Sequence, residues 1–226
     1  AKRVSIAADY VLPALSNAAL SFDYEDGEET ADAGFQLGAK KLVLKRLSGY
    51  VPIDNRVLTL NSDGSLENAI VASLYKIADA KKAADLFTND LSGVTEITVG
   101  TTNYEKIVGL EAELLAKGID GASLVYVYHP SMLPKLKANE KKVNGITEPI
   151  LKDGMIGGIK AVVTTACPAD KIYLMAGTEV WDNTAAFTLS LDENTLSHKG
   201  QSRIVCNIYT DEKISRNEFA AFTTLA

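Results

Sequence analysis

Nucleophilic or acid–base catalysis needs a Ser, Cys or Thr within reach of a base. In this chain of 226 residues the only histidines are His129 and His198. His129 ends an apolar stretch, where a hydrogen-bonded, half-buried imidazole is expected rather than a catalyst. His198 lies in a polar turn and is expected to be exposed. The two cysteines, Cys167 and Cys206, lack C-x-x-C spacing, so two buried thiols in a reducing compartment are expected. Two histidines and two separated cysteines do not compose a zinc site. Gly157 and Gly158 are adjacent, yet no dinucleotide or P-loop fingerprint and no G-x-S-x-G elbow occurs. No catalytic, cofactor-binding or metal-binding residue is assigned, and the chain is read as a non-enzyme.

Carboxylates are the one chemical group present in a cluster. Asp23, Glu25, Asp26, Glu28, Glu29 and Asp32 put six of them into ten positions. Like charges this dense repel one another and favour an exposed segment, whereas acid–base work needs a rigid, partly dry setting. A solvated loop and an arm held out for a basic partner both fit. Lys40, Lys41, Lys45 and Arg46 follow, and these four, or Lys81 or Lys82, could receive such an arm from another molecule.

Composition is that of a globular protein, with 46% apolar and 23% charged residues. The 23 Lys and Arg against 29 Asp and Glu leave a formal net charge of −6. That balance argues against wrapping nucleic acid directly, which takes clustered cations to neutralise phosphates. No Asn-x-Ser/Thr sequon, signal peptide or membrane-spanning apolar run is present. The chain starts at Ala1; removal of an initiator Met, or of a longer leader, would each give this start.

The elements that must position these residues read as follows. Residues 35–60 mix alternation with short apolar runs and predict one or two strands, punctuated by Gly49 and Pro52. Leu66, Ile70, Leu74, Ile77 and Ala84 recur at helical spacing and predict a long helix, with Ser65 as its N-cap. About 22 residues of helix would span roughly 33 Å, long enough to be a structural spine. Ile107, Leu110, Leu114 and Leu115 predict a second helix over 101–120, stopped at Lys117-Gly118. Residues 122–130 predict a buried strand, then a short helix from Pro130 or Ser131 running into a basic, polar loop. Helix, strand and helix in that order suggest a layered α/β unit. Strands are expected at Ile159–Thr164, Lys171–Met175, Ala186–Leu191, Arg203–Tyr209 and in the closing "EFAAFTTL".

The stretch 153–194 has strand-formers, glycines and the only Trp, but almost no reactive groups. It runs as a short apolar strand (Gly158–Thr164), a small-residue turn (Ala166–Asp170), then a strand leading to Gly177–Trp181. An alternating strand, the acidic "LDEN" turn, a long strand and a final "AF" strand complete it. This order resembles the C-terminal half of the major capsid proteins of tailed bacteriophages, the Hong Kong 97 fold. Upstream, "ASLVYVYHPSMLPKLKANE" resembles that family's strand and short helix, "SLENAIVASLYKIADA" its spine helix, and "FQLGAKKLVLKRLSGYVPIDNRVL" the strand before it.

The resemblance implies an α+β fold with a long spine helix, peripheral and axial domains, an extended loop and an N-terminal arm. The arm would be 1–21, the acidic extended loop 22–36, and the peripheral domain with its spine helix 37–92. The axial domain would be 93–175, and 176–226 would return as C-terminal strands of the peripheral domain. The implied function is a shell subunit that assembles with itself, as hexamers and pentamers, around double-stranded DNA without reading its sequence. Scaffolding, portal or decoration proteins are the further partners implied, with no membrane and no cofactor. The place is the virion capsid, assembled in the host bacterial cytoplasm. Some relatives join subunits through a Lys–Asn bond assisted by a Glu. Asn207, Glu212 and the lysines at 40, 41 and 45 lie in the corresponding neighbourhood, but the local pattern does not match and no crosslink is expected. Two other functions fit less well: an encapsulin-like compartment, and an α/β enzyme for small molecules.

Overall fold

The computed structural model describes residues 2–5, 8–12, 15–16, 36–37, 40–60, 65–138, 140–143 and 146–225. Short strands come first: β1 (Lys2–Val4), β2 (Tyr10–Val11), β3 (Leu15–Ser16), β4 (Gln36–Leu37) and β5 (Lys41–Leu42). Then follow β6 (Lys45–Asp54), α1 (Asn55–Leu60) and α2 (Ser65–Asp85). A π-helical turn (Leu86–Asp90) and a 3-10 turn (Leu91–Gly93) carry α2 onward to β7 (Thr95–Glu96). Next are α3 (Asn103–Ala116), β8 (Leu124–Tyr128) and α4 (Leu133–Ala138). The remainder is strand: β9 (Glu140–Val143), β10 (Ile146–Pro149), β11 (Leu151–Lys152), β12 (Met155–Ile156), β13 (Ile159–Val163), β14 (Lys171–Ala176), β15 (Val180–Asp192), β16 (Gln201–Ile214) and β17 (Ala220–Thr224).

Two sheets organise these elements. One has four strands in the order β1-β15-β16-β6, the other seven in the order β11-β12-β13-β8-β14-β17-β7. In the larger sheet β8 alternates strictly, burying Leu124, Tyr126 and Tyr128 on one face. Helix α3 covers that face with Ile107, Leu110 and Leu114, all fully buried. The opposite face carries Tyr173, Met175, Ala220 and Phe222, and is covered by Leu86, Phe87, Leu91 and Val94 from the end of the long helix. Phe87 meets the Tyr173 ring edge-on at 5.1 Å between centroids. The final strand, β17, pairs antiparallel with β14 and so belongs to this larger sheet.

Local chemistry sets the ends of α3. Thr102 caps its N-terminus, its Oγ1 accepting from Glu105 N at 3.2 Å while Glu105 Oε2 accepts from Thr102 N at 3.0 Å. The bond from Thr102 N, with those from Thr101 Oγ1 and N at 2.8 Å each, holds the Glu105 carboxyl at about 2, well below the usual glutamate range. Gly100, at φ +110, precedes the cap; a Cβ there would lie 2.7 Å from Glu105 Cβ. The helix stops at Lys117-Gly118, as expected, with Gly118 at φ +76.

The smaller sheet is long and thinly covered. β15 and β16 pair antiparallel from Val180↔Ile214 to Asp192↔Arg203, with a register shift between Thr184 and Ala186. Helix α2 lies on one face, where Ala78, Cys206 and Ile208 form a small buried cluster flanked by Leu47, Leu74 and Phe187. Tyr75 stacks on Phe187 at 4.2 Å. Pro52 sits in β6, the outermost strand, where a missing N–H breaks no ladder.

Several expectations are corrected. Ile77 is 57% exposed and Ala78 is buried, because Leu66, Ile70, Leu74 and Ala78 hold a spacing of four and Ile77 turns off that line. Leu115 likewise leaves the face of α3 and is 49% exposed. Ser65 is the first helical residue rather than the residue before it. The strand region 35–60 ends in the helix α1, and the basic loop after α4 is the hairpin β9–β10. β15 and β16 run past their expected ends, since polar residues at 182–184 and 210–212 stay in strand by pairing with each other.

Candidate functional site

Beyond Ala78, α2 no longer rests on apolar residues. Lys82 continues the line of Leu74 and Ala78, and its Nζ lies 3.2 Å from Asp182 Oδ1 and 3.3 Å from Asp79 Oδ1. Arg3 Nε approaches the same Asp182 from β1, at 3.5 Å from Oδ2. Thr184 Oγ1 donates to Asp182 Oδ1 at 3.0 Å and lies 2.9 Å from Thr210 Oγ1. Glu212 stands directly across the strand pair from Asp182. Burial, with the negative charges of Asp182 and Asp79 after it, pushes the Glu212 carboxyl above its ordinary range, and Lys82 offsets part of this. Arg3, Asp79, Lys82, Asp182 and Glu212 line a cavity of about 410 Å³.

A second cavity, of about 250 Å³, opens on the other side of Lys82 and Glu212, lined also by Lys45, Arg46, Asp85 and Asp211. Lys45 Nζ binds Asp85 Oδ2 at 2.7 Å and lies 3.8 Å from Asp211 Oδ1. The bond to Lys45 holds the Asp85 carboxyl below its usual range, and the bond to Asp85 raises the Lys45 ammonium. Asp211 is buried; its Oδ2 accepts from Val43 N at 2.9 Å and lies 3.4 Å from Lys213 Nζ. One turn further, Lys40 Nζ donates to Asp90 Oδ1 (2.8 Å), Asn217 Oδ1 (2.6 Å) and the Ile214 carbonyl (3.1 Å), while Asp90 Oδ2 accepts from Ile214 N at 2.7 Å. A charged seam therefore ties β1, the segment around β5 and the second half of α2 to the far ends of β15 and β16.

The acidic residues Asp23, Glu25, Asp26, Glu28, Glu29 and Asp32 lie outside the described residues. Of the four cations singled out with them, Lys40 and Lys45 are bound to carboxylates of their own chain. Lys41 and Arg46 are exposed and have no carboxylate partner among the described residues; Arg46 Nε donates to Asn207 Oδ1 at 2.8 Å. Asn207 and Glu212 stand an odd number of residues apart on β16, so the strand turns them to opposite faces.

Of the groups that catalysis would use, His129 has a structural role. His129 caps the 3-10 turn before α4, its Nδ1 accepting from Ser131 N at 3.2 Å. His198 is exposed. Both cysteines are free and buried, and burial pushes the Cys167 thiol up to about 12. Among the described residues no three His, Cys, Asp or Glu side chains gather in a way that could hold a metal ion. No described helix is long and apolar enough to cross a membrane.

Sequence reasoning missed the seam. Two signals were present: a lysine on the apolar line of α2, four residues after Ala78, and the polar run Asp182-Asn183-Thr184 inside an otherwise apolar strand.

No family model and no curated protein matches this sequence. Solved structures do. The capsid of an empty GTA particle superposes with a TM-score of 0.75 at 13% identity, over 100% of this chain and 88% of that one. A structure from Mycobacterium phage Che8 gives 0.65 at 14% identity, over 96% and 85%. The virus-like particle from Pyrococcus furiosus gives 0.63 at 13%, over 98% and 88%. Likeness at these identities is likeness of fold. The Hong Kong 97-type fold expected from the residue order is the fold of this chain.

Proposed function

We propose that this chain is the major capsid protein of a tailed bacteriophage, a non-enzymatic subunit that assembles with copies of itself into a closed icosahedral shell. The observation that carries this reading is a capsid fold matched over 100% of this chain and 88% of the other, with a TM-score of 0.75. The thin cover of the four-stranded sheet supports it, because such a subunit completes its burial against neighbours. An acidic chain suits confining double-stranded DNA without gripping it. In this reading hexamers and pentamers build the shell, scaffolding, portal or decoration proteins attend its assembly in the host cytoplasm, and the virion capsid is its final place.

The domain division follows the same reading. Residues 1–21 form the arm and 22–36 the extended loop. Residues 37–92 and 176–226 make the peripheral domain and 93–175 the axial domain, except that β17 (Ala220–Thr224) pairs with the strands of the axial part. The acidic residues of 23–32 reach a neighbouring subunit, where Lys41 and Arg46 are exposed and have no carboxylate partner among the described residues. Each exposed pair contributes only about 0–1 kcal/mol, so contacts stay reversible until the shell closes. Reversing Glu28 and Glu29 to lysine is expected to weaken assembly and change its salt dependence.

A second reading, an encapsulin-like compartment, is favoured by the likeness to the Pyrococcus furiosus particle. Negative-stain imaging of the purified chain tests the main reading. Closed shells of uniform diameter containing nuclease-protected DNA are expected. Shells filled with protein would favour the compartment, and a chain that stays a single copy in every buffer would contradict both.

A further inference from the structure

Strand β15 is paired along only part of its outer side. β1 runs parallel to it from Trp181 to Asn183, and Ser5 Oγ donates to the Thr184 carbonyl at 3.2 Å. After the register shift at 184–186, β15 continues to Asp192 with β16 on one side and, among the described residues, no strand on the other. An open edge presents free backbone N–H and C=O groups, and proteins blunt such edges with Lys, Pro, a bulge or a covering element. Residues 187–191, Phe-Thr-Leu-Ser-Leu, contain neither Lys nor Pro.

The side chains sharpen the point. Phe187, Leu189 and Leu191 stand opposite Ile208, Cys206 and Ile204, on the face where α2 lies. Tyr75 stacks on Phe187, but Leu189 and Leu191 remain 38% and 51% exposed. The charge at the end of the run is already neutralised, with Asp192 Oδ2 held by Arg203 Nη2 at 2.7 Å.

We infer that this edge is covered by the same edge of a second copy. The two β15 strands pair antiparallel about a two-fold axis at Leu189, joining two four-stranded sheets into one. The run is complementary to itself in that register. Leu189 meets its own copy, Phe187 meets the partner's Leu191, and Thr188 meets the partner's Ser190. The apolar residues form a continuous row on the helix face, hydroxyls pair on the other, and no charge faces a like charge. A slip of one residue would set Leu against Ser and flip the row to the wrong face. The inference rests on the shell reading and names one of the contacts that would build the shell.

Cysteine pairing tests it. Directly opposed residues lie about 4.5–5.5 Å apart at Cα, within disulfide reach. Particles co-assembled from Thr188→Cys chains and Ser190→Cys chains are expected to give disulfide-linked dimers on mild oxidation. Particles of either variant alone are expected to give at least tenfold less. Cys167 and Cys206 are buried and do not compete. Intact shells without dimers in the mixed sample, or dimers equally abundant in a single variant, would overturn the pairing while leaving the shell reading in place. Leu189→Lys puts two ammonium groups together on the axis, so shell yield is expected to fall at least tenfold with the far-ultraviolet circular dichroism unchanged. Mixing it with Leu189→Glu chains is expected to recover assembly; unaltered yield of the Lys variant, or no recovery on mixing, counts against the pairing. A chain that forms no shell under any condition removes the shell reading and this inference together.

Discussion

The seven-stranded sheet is covered on both faces, by α3 on one side and by the end of the long helix on the other. The four-stranded sheet has α2 on one face, over a buried cluster of Ala78, Cys206 and Ile208, and among the described residues the segment around β5 reaches the other, at Asp211 and Lys213. Its far face leaves Tyr50 and Tyr209 61% and 40% exposed, and among the described residues no strand pairs one edge of β15 beyond Ala186. Both sheets are rich in β-branched and aromatic residues, so propensity does not separate them. What differs is where the cover comes from. The larger sheet buries its apolar residues within one chain. The smaller is held by a charged seam and two long paired strands, and leaves Leu189, Leu191, Tyr50 and Tyr209 exposed. The proposed shell subunit would need both: a region that folds by itself, and one whose burial is completed on assembly.

Truncation should separate the two most strongly. Leu110→Ala, in the buried face of α3, is expected to cost about 2–5 kcal/mol. In the dissociated subunit, Leu189→Ala is expected to cost less than about 1 kcal/mol. Urea unfolding of both variants measures this, and equal losses would break the comparison. Next in size is Lys82→Met, which strips the buried Asp182 of its closest cation and leaves Arg3 and Thr184. A loss of about 1–3 kcal/mol is expected, read in the same titrations. Thr102→Ala removes the cap of α3 and is expected to cost about 1 kcal/mol, roughly 2–4 °C in Tm for a chain of this size, with assembly unaffected.

The smallest effect at neutral pH is a matter of sign. The Glu212 carboxyl is raised, so the folded chain takes up its proton at a higher pH than the unfolded chain does. This group therefore costs stability above its folded pKa, and the cost is relieved as pH falls through that value toward the ordinary glutamate range. Asp85 works oppositely: its depressed carboxyl stabilises the fold above the ordinary aspartate value, and that support is lost as pH falls further. Glu212→Gln is expected to raise Tm at pH 7 and to flatten the rise on mild acidification. Thermal unfolding followed from neutral pH down into the ordinary glutamate range checks it, and an unchanged slope would place the proton elsewhere.

Much of the fold could be read from pattern because its periodicity is undisturbed. The line Leu66–Ile70–Leu74 set α2, Ile107–Leu110–Leu114 set α3, and the β-branched and aromatic run Leu124–Tyr128 set β8. The resemblance to capsid proteins rested on the order of such elements and held. Legibility failed where polar residues replace apolar ones inside regular structure. Asp182, Asn183, Thr210 and Asp211 are buried, yet read as turn or loop residues until their partners across the strand pair are known. Lys40 and Lys45 looked like free cations because Asp90 and Asp85, their partners, lie 40 residues or more away in sequence. Pairing across such separations leaves no local signature.

Amide hydrogen exchange tests the division between the two sheets most directly, measured on assembled particles and on subunits dissociated from them. Residues 186–192 and the strands beside them, 45–54 and 201–214, are expected to gain protection on assembly. Residues 107–114, 124–128 and 171–176 are expected to be protected already and to change little. An equal gain across both groups, or a gain confined to the second, would contradict the claim that the smaller sheet is finished by neighbouring copies.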